Sequence, residues 1–229
     1  YIPVSHWVFA PGGWILSHLG ALDFAGGLVV EINSGASALA LALVIGKRKG
    51  FKRDPMRPHN LPLVLLGAGI LWFGWFGFNG GSALTSGPLA ATALINTQIA
   101  GAAAAITWVA VEKIRDGRAT TLGVASGAVA GLVAITPACG FVNPLGALII
   151  GLVSGALSCS AVALKYRFNY DDSLDVVGVH GVSGLFGLLM IGFIATTTAN
   201  EFGGDGLFMR GGTELLQRQV FASFVVALF

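Results

Sequence analysis

The sequence predicts an all-α fold, a polytopic membrane helix bundle, and three observations carry that prediction. Only 10% of its 229 residues are charged, against 55% apolar and a mean hydropathy of +0.79, whereas a soluble domain usually carries about a quarter charged residues. Six stretches have spanning length and almost no charge, at roughly 24–46, 61–84, 91–111, 119–138, 144–164 and 176–197, and a seventh apolar run opens near 217. The alternating pattern with short turns that a transmembrane barrel needs is absent, and a bilayer core without water makes each span satisfy its own backbone, which leaves helices. The chain 1–229 therefore reads as a single transmembrane domain, multi-pass, in a cell membrane.

The same composition excludes other classes. Thirteen basic against eleven acidic residues, a net charge of +2, build no surface that tracks phosphates, so no nucleic-acid partner is expected. Cys139 and Cys159 show no CxxC spacing and read as buried free thiols; neither metal nor cofactor is expected. Gly67 and Gly69 fail the dinucleotide fingerprint, because Trp72 stands at the third glycine position inside a hydrophobic span. At the ends, Tyr1 leads into an aromatic cluster of Trp7, Phe9 and Trp14 without a signal sequence. The run from Val220 to Phe229 is too short to cross about 30 Å of hydrocarbon, so an internal fragment is expected.

Taken in order, the connections fix the direction of each span. The first, after 24–46, holds Lys47, Arg48, Lys49, Lys52, Arg53 and Arg57; the third holds Lys113, Arg115 and Arg118; the fifth holds Lys165 and Arg167. The second, Ser82 to Ala90, and the fourth, Cys139 to Asn143, hold no charge. The positive-inside rule puts connections one, three and five in the cytoplasm, so the first span runs inward and the sixth outward. Within the spans, Gly123, Gly127 and Gly131, then Gly146, Gly151 and Gly155, recur at three to five residues and predict close helix packing.

The first and sixth spans open alike: Leu22-Asp23-Phe24-Ala25-Gly26 and Leu174-Asp175-Val176-Val177-Gly178. Each aspartate stands where a helix N-cap belongs. One motif begins outside and the other inside, as two halves of an inverted-topology repeat would, with the active centre between them near the midplane. These spans also hold the only acid and the only imidazole within the membrane, Glu31 and His180. An ionisable group there costs about 3 kcal/mol on insertion scales and normally faces a pore or a partner. Eight residues put Glu31 about 12 Å in from Asp23, and His180 lies about 7.5 Å in from Asp175 on the other side, so the two can meet. Such a pair can hold and pass a proton; a hydrogen-bonded structural role in a helix contact is the alternative for each. On the second span, Trp75, Phe78 and Ser82 share a face near its outer end, with Trp72 and Asn79 nearby. An aromatic face and a hydroxyl suit a cation, and equally suit an ordinary aromatic core or interfacial belt.

The segments GALDFAGGLVVEINSG (20–35), GKRKGF (46–51), PHNLP (58–62), FGWFGFNGGSA (73–83), SGAVAGLVAITPACGFVNPLGA (126–147) and DDSLDVVGVHG (171–181) resemble the ammonium transporter family, Amt/Mep/Rh, on its bacterial Amt side. The resemblance implies part of an eleven-helix protomer with an inverted-topology repeat, working as a homotrimer with one pore per subunit. It implies ammonium recruited at an outer vestibule, ammonia passing through a hydrophobic pore, and a separately relayed proton. By motif, Phe78 is similar to the inner phenylalanine of the outer gate, Ser82 to the vestibule hydroxyl and Asp23 to the vestibule aspartate. His180 falls on the second of the paired pore histidines, and Glu31 stands where the first belongs, as in some fungal members. The vestibule tryptophan falls near Phe9, and the other gate phenylalanine belongs to an earlier helix absent from this sequence.

The family also implies a cytoplasmic PII-type signal protein as a partner, toward which the basic loop 47–57 could face; anionic membrane lipid explains those charges equally well. An ammonium sensor of the same fold is the alternative to a transporter. Gly181-Val182-Ser183-Gly184 spells the GxSG of intramembrane serine proteases, but no histidine follows His180 to activate the serine, so no enzyme is expected. His6, His18 and His59 lie outside the spans as capping or interfacial residues.

Overall fold

A computed structural model describes residues 1–229 as helices and connections with no strand. A short α1 (Ile2–Phe9) is followed by α2 (Gly27–Ile45), α3 (Leu61–Gly81), α4 (Pro88–Asp116), α5 (Thr121–Ile135), α6 (Pro144–Phe168), α7 (Val177–Ile194) and α8 (Glu214–Leu228). Local chemistry starts several of them. Proline sits in the first turn of α3, α4 and α6, where its missing N–H costs nothing. Asn60, Thr120 and Asn143 cap α3, α5 and α6 by accepting from the N–H of Leu63, Gly123 and Gly146 at 3.1, 2.9 and 2.9 Å.

The tightest packing surrounds α4, which lies between α5 and α6. A methyl group on Gly131 or on Gly151 would strike the backbone of Ala100, and one on Gly127 or on Gly155 would strike that of Ala104. Two glycine notches on each side therefore let both neighbours close on the same two alanines, the contact small residues permit where no hydrophobic force drives helices together.

Five helices are long and apolar enough to cross a membrane, α2, α3, α4, α6 and α7. The expected span 119–138 differs. Helix α5 stops after 15 residues, about 22 Å, short of the roughly 30 Å of hydrocarbon. Its path continues as a buried irregular segment through residues 136–142, so the fourth connection is interior and not a surface loop. Non-helical backbone is tolerated at such depth only when protein satisfies it. Here Pro137 O accepts from Phe24 N at 3.0 Å and Phe141 O from Thr196 N at 2.8 Å. The amide of Asn96 donates to both Cys139 O and Val142 O at 2.8 Å. Cys139 and Cys159 are buried and unpaired.

Candidate pore site

Helices α2 and α7 cross at the centre of the molecule, and both begin with π-helical turns, Gly27–Ile32 and Val177–Gly181. Such turns widen the helix locally and concentrate at functional sites. The crossing is made by glycine. A methyl group on Gly35 would land on the backbone of Gly181, and one on Gly184 would land on Cβ of Glu31. These two contacts are near-images of one another, offset by one residue on the partner helix. The spacing of 149 residues that separates Glu31 from His180 also carries Gly35 onto Gly184 and the α-helical part Asn33–Ile45 onto Val182–Ile194.

At the crossing the acid and the imidazole touch: His180 Nδ1 lies 2.7 Å from Glu31 Oε2. Glu31 is completely buried and His180 about a quarter exposed. The other carboxylate oxygen, Oε1, is buried without a hydrogen-bond partner, leaving an open acceptor in a setting where unmet polar groups are costly.

Asp23 caps the start of α2. Its Oδ1 accepts from the N–H of Gly26 and Gly27 at 2.8 and 2.7 Å, and its Oδ2 from Leu28 at 2.7 Å. Gly26 makes the bend possible with φ +137°, in the region that disfavours side chains, and the ring edge of Phe78 stands 3.6 Å from where its Cβ would be. Phe78 thus meets the cap of α2 from α3. The Phe78 ring packs edge-on against Trp75, with centroids 5.8 Å apart, and Trp75 donates from its indole N–H to Thr136 Oγ1 at 2.8 Å. Ser82 turns its hydroxyl proton back to Phe78 O at 2.8 Å, which leaves its oxygen free to accept from another donor. Phe9 lies on α1, well exposed, and Trp7 packs against Trp14 and Phe229 at 5.9 and 4.8 Å between ring centroids.

The cap of α7 is not the residue its opening motif suggested. Val177 N donates to Asp172 Oδ2 at 2.7 Å, while Asp175, at φ +60°, turns away to pair with Lys165 at 2.5 Å. Asp172 stands eight residues before His180 as Asp23 stands eight before Glu31, so the repeat register was legible in that spacing and the five-residue echo misplaced it. Beside it, Arg48 holds Asp171 through Nε at 2.8 Å, Nη2 at 2.7 Å and its own backbone N–H at 2.8 Å. The guanidinium keeps the Asp171 carboxyl below the usual carboxylate range. The GxSG serine, Ser183, is buried and shares hydrogen bonds with the hydroxyls of Ser154 and Ser158. Neither partner is a base.

An all-helical fold with five membrane-length helices and a polar pair at a buried helix contact defines a multi-pass membrane protein. Residues 1–229 match the model of the Ammonium Transporter Family over their whole length. The chain belongs to the ammonium transporter family. It is 52% identical to an ammonium transporter of Mycobacterium tuberculosis over 241 residues, covering 100% of this chain and 50% of that protein. It is 50% identical to one of Bacillus subtilis over 230 residues, covering 100% and 56%. Among solved structures, Candida albicans Mep2 superposes with a TM-score of 0.91 at 39% identity, over 99% of this chain and 51% of that one. A Sensor Amt Protein superposes with a TM-score of 0.85 at 32% identity, over 98% and 57%. The chain spans about half the length of the curated relatives it matches. Members of the family are transporters and not enzymes, which agrees with the hydroxyl partners of Ser183.

Proposed function

We propose that this chain is part of an ammonium transport protein, in which ammonium is recruited at the outer mouth and ammonia and a relayed proton cross separately. The observation that carries the reading is the 2.7 Å contact between Glu31 and His180 at the crossing of oppositely directed helices. An acid in hydrogen-bond contact with an imidazole can take a proton from one side and return it to the other by moving it across a single hydrogen bond. The open Oε1 of Glu31 offers an acceptor to an N–H donor arriving beside the pair.

At the outer mouth, Asp23 accepts from three backbone N–H groups and has no basic partner in the chain, and Phe78 closes over its cap. A cation is drawn by the carboxylate and by the aromatic face, with the Ser82 oxygen as acceptor. An uncharged ammonia then crosses an apolar interior that excludes the ion. Assembly as a homotrimer agrees with α3, whose large side chains Leu63, Leu66, Ile70 and Phe73 are exposed to lipid or to a neighbouring subunit. The basic inner loop 47–57 suits either anionic lipid or an acidic surface on a PII-type protein. A sensor role rests on the lower of the two structural likenesses and shares the same site.

The test is ammonium-evoked current in proteoliposomes holding the protein at its native length. His180→Ala is expected to abolish proton-coupled current, at least tenfold below the parent. Glu31→Gln should lose most of it, and Glu31→His should conduct with an altered pH profile. Unchanged current in all three variants overturns the relay, and binding without current in the parent itself selects the sensor.

A further inference from the structure

Among the buried polar groups that the pore reading does not use, Gln219 of α8 is the most constrained. Its side chain is wholly inaccessible. The amide lies flat against the backbone of one residue: Oε1 accepts from Leu22 N at 2.8 Å and Nε2 donates to Leu22 O at 2.7 Å. The same Nε2 reaches Leu188 O of α7 at 3.3 Å. Leu22 immediately precedes Asp23, and on the other side Phe24 N is held by Pro137 O at 3.0 Å. The aspartate that takes three backbone N–H groups therefore sits between two fixed residues.

We infer that Gln219 is a positioning residue for the outer cation site, acting through Leu22 on Asp23; the inference rests on the reading of Asp23 as the carboxylate that supports an incoming cation. The argument is one of fit. A primary amide is the side chain that can donate to and accept from a single residue's main chain at once, as a neighbouring β-strand does. Nothing in an apolar helix–helix contact calls for it, since a leucine of similar volume fills the space without a polar group to satisfy. The third bond, to Leu188, ties the cap of α2 to the helix that carries His180. Loss of the clamp frees Leu22 N–H and C=O inside the protein, and the loop carrying Asp23 relaxes toward other partners.

The experiment is the same proteoliposome assay at native length, read as half-saturating ammonium concentration against maximal current per inserted protein. Gln219→Leu is expected to raise the half-saturating concentration about 3- to 10-fold, the effect of one or two neutral hydrogen bonds, with maximal current kept. Gln219→Glu keeps the acceptor for Leu22 N and loses both donors, so an intermediate shift is expected; it carries the test if the leucine variant fails to insert. Ser223→Ala removes a hydroxyl that donates only to Gln219 O and should leave both quantities unchanged. A Gln219 series that lowers maximal current alone, or moves half-saturation no more than Ser223→Ala, overturns the inference. Asp23→Asn separates the two claims: if it raises half-saturation while the Gln219 variants do not, only the clamp fails, and if it leaves half-saturation unchanged, the reading of Asp23 fails with it.

Discussion

Helices α2 and α7 are alike at their crossing and unlike at their mouths. At the crossing each offers a glycine to the other, each starts with π-helical turns, and one registers on the other with a single spacing of 149 residues. At the mouths each helix is capped by an aspartate eight residues before its pore residue, yet the surroundings differ. Asp23 spends its oxygens on three N–H groups and forms no ion pair within the chain. Asp172 is flanked by Asp171 bound to Arg48 and by Asp175 bound to Lys165. The same capping job leaves Asp23 with no cation beside it, while Asp172 shares its cluster with two cations, Arg48 and Lys165. Helix stability needs only the cap, so the difference in neighbouring cations belongs to what the two mouths meet, a cation on the proposed reading at the Asp23 mouth alone.

The largest expected effect strikes the symmetric part. Gly184→Ala places a methyl group on Cβ of Glu31, and Gly35→Ala places one on the backbone of Gly181, beside His180. Neither contact can be relieved by rotating a flexible side chain, so each variant must push the helices apart, at a cost of about 1–3 kcal/mol, and separate the pair. Both are expected to lose at least tenfold in ammonium-evoked current, by similar factors. A full loss in one and none in the other breaks the pseudo-twofold equivalence.

A smaller effect separates the mouths. Asparagine caps helices about as well as aspartate but carries no charge, so Asp23→Asn and Asp172→Asn should each lower stability by about 1 kcal/mol or less, measured by thermal unfolding in detergent. Only Asp23→Asn is expected to raise the half-saturating ammonium concentration. Equal shifts in both would mean that residual charge at the outer mouth has no part in recruitment.

Five of the six spans and the meeting of Glu31 with His180 could be read from sequence because each rests on a local or one-dimensional signal: apolar length, and an acid and an imidazole where almost nothing else is polar. Helix α5 was legible only in part. The apolar run 119–138 has spanning length, but Pro137 within it ends the helix at Ile135 by a local rule. What the sequence hides is how the irregular carbonyls beyond it are satisfied, by Asn96, Phe24 and Thr196 from three other parts of the chain. Asp172 was hidden for a different reason. Two aspartates, Asp172 and Asp175, compete for one cap, and the winner is fixed by Lys165 drawing Asp175 aside. Gln219 left a weak trace, one of two amides at the start of the last apolar run, but its partner Leu22 lies 197 residues away, and a backbone partner leaves no mark in the sequence.

The smallest effect concerns the inner cluster itself and sharpens the contrast by its absence elsewhere. Arg48 is partly exposed and Asp171 is buried, so Arg48→Gln should cost about 1 kcal/mol, as for a partly solvated ion pair. The sign of its pH dependence follows from the carboxyl. Arg48 holds Asp171 below the range it occupies in the unfolded chain, so folding binds fewer protons there, and the pair's contribution is complete above the unfolded value of about 3.9. That contribution fades as pH falls through the lower folded value. The gap in unfolding temperature between the parent and Arg48→Gln is therefore expected to be constant from about pH 5 to pH 8 and to close below about pH 4. Because nothing in this pair titrates near neutrality, the pH profile of ammonium current should be the same in Arg48→Gln as in the parent, while Glu31→His moves it. A neutral-range shift in the Arg48 variant would show that the inner mouth, and not the crossing, sets the proton response.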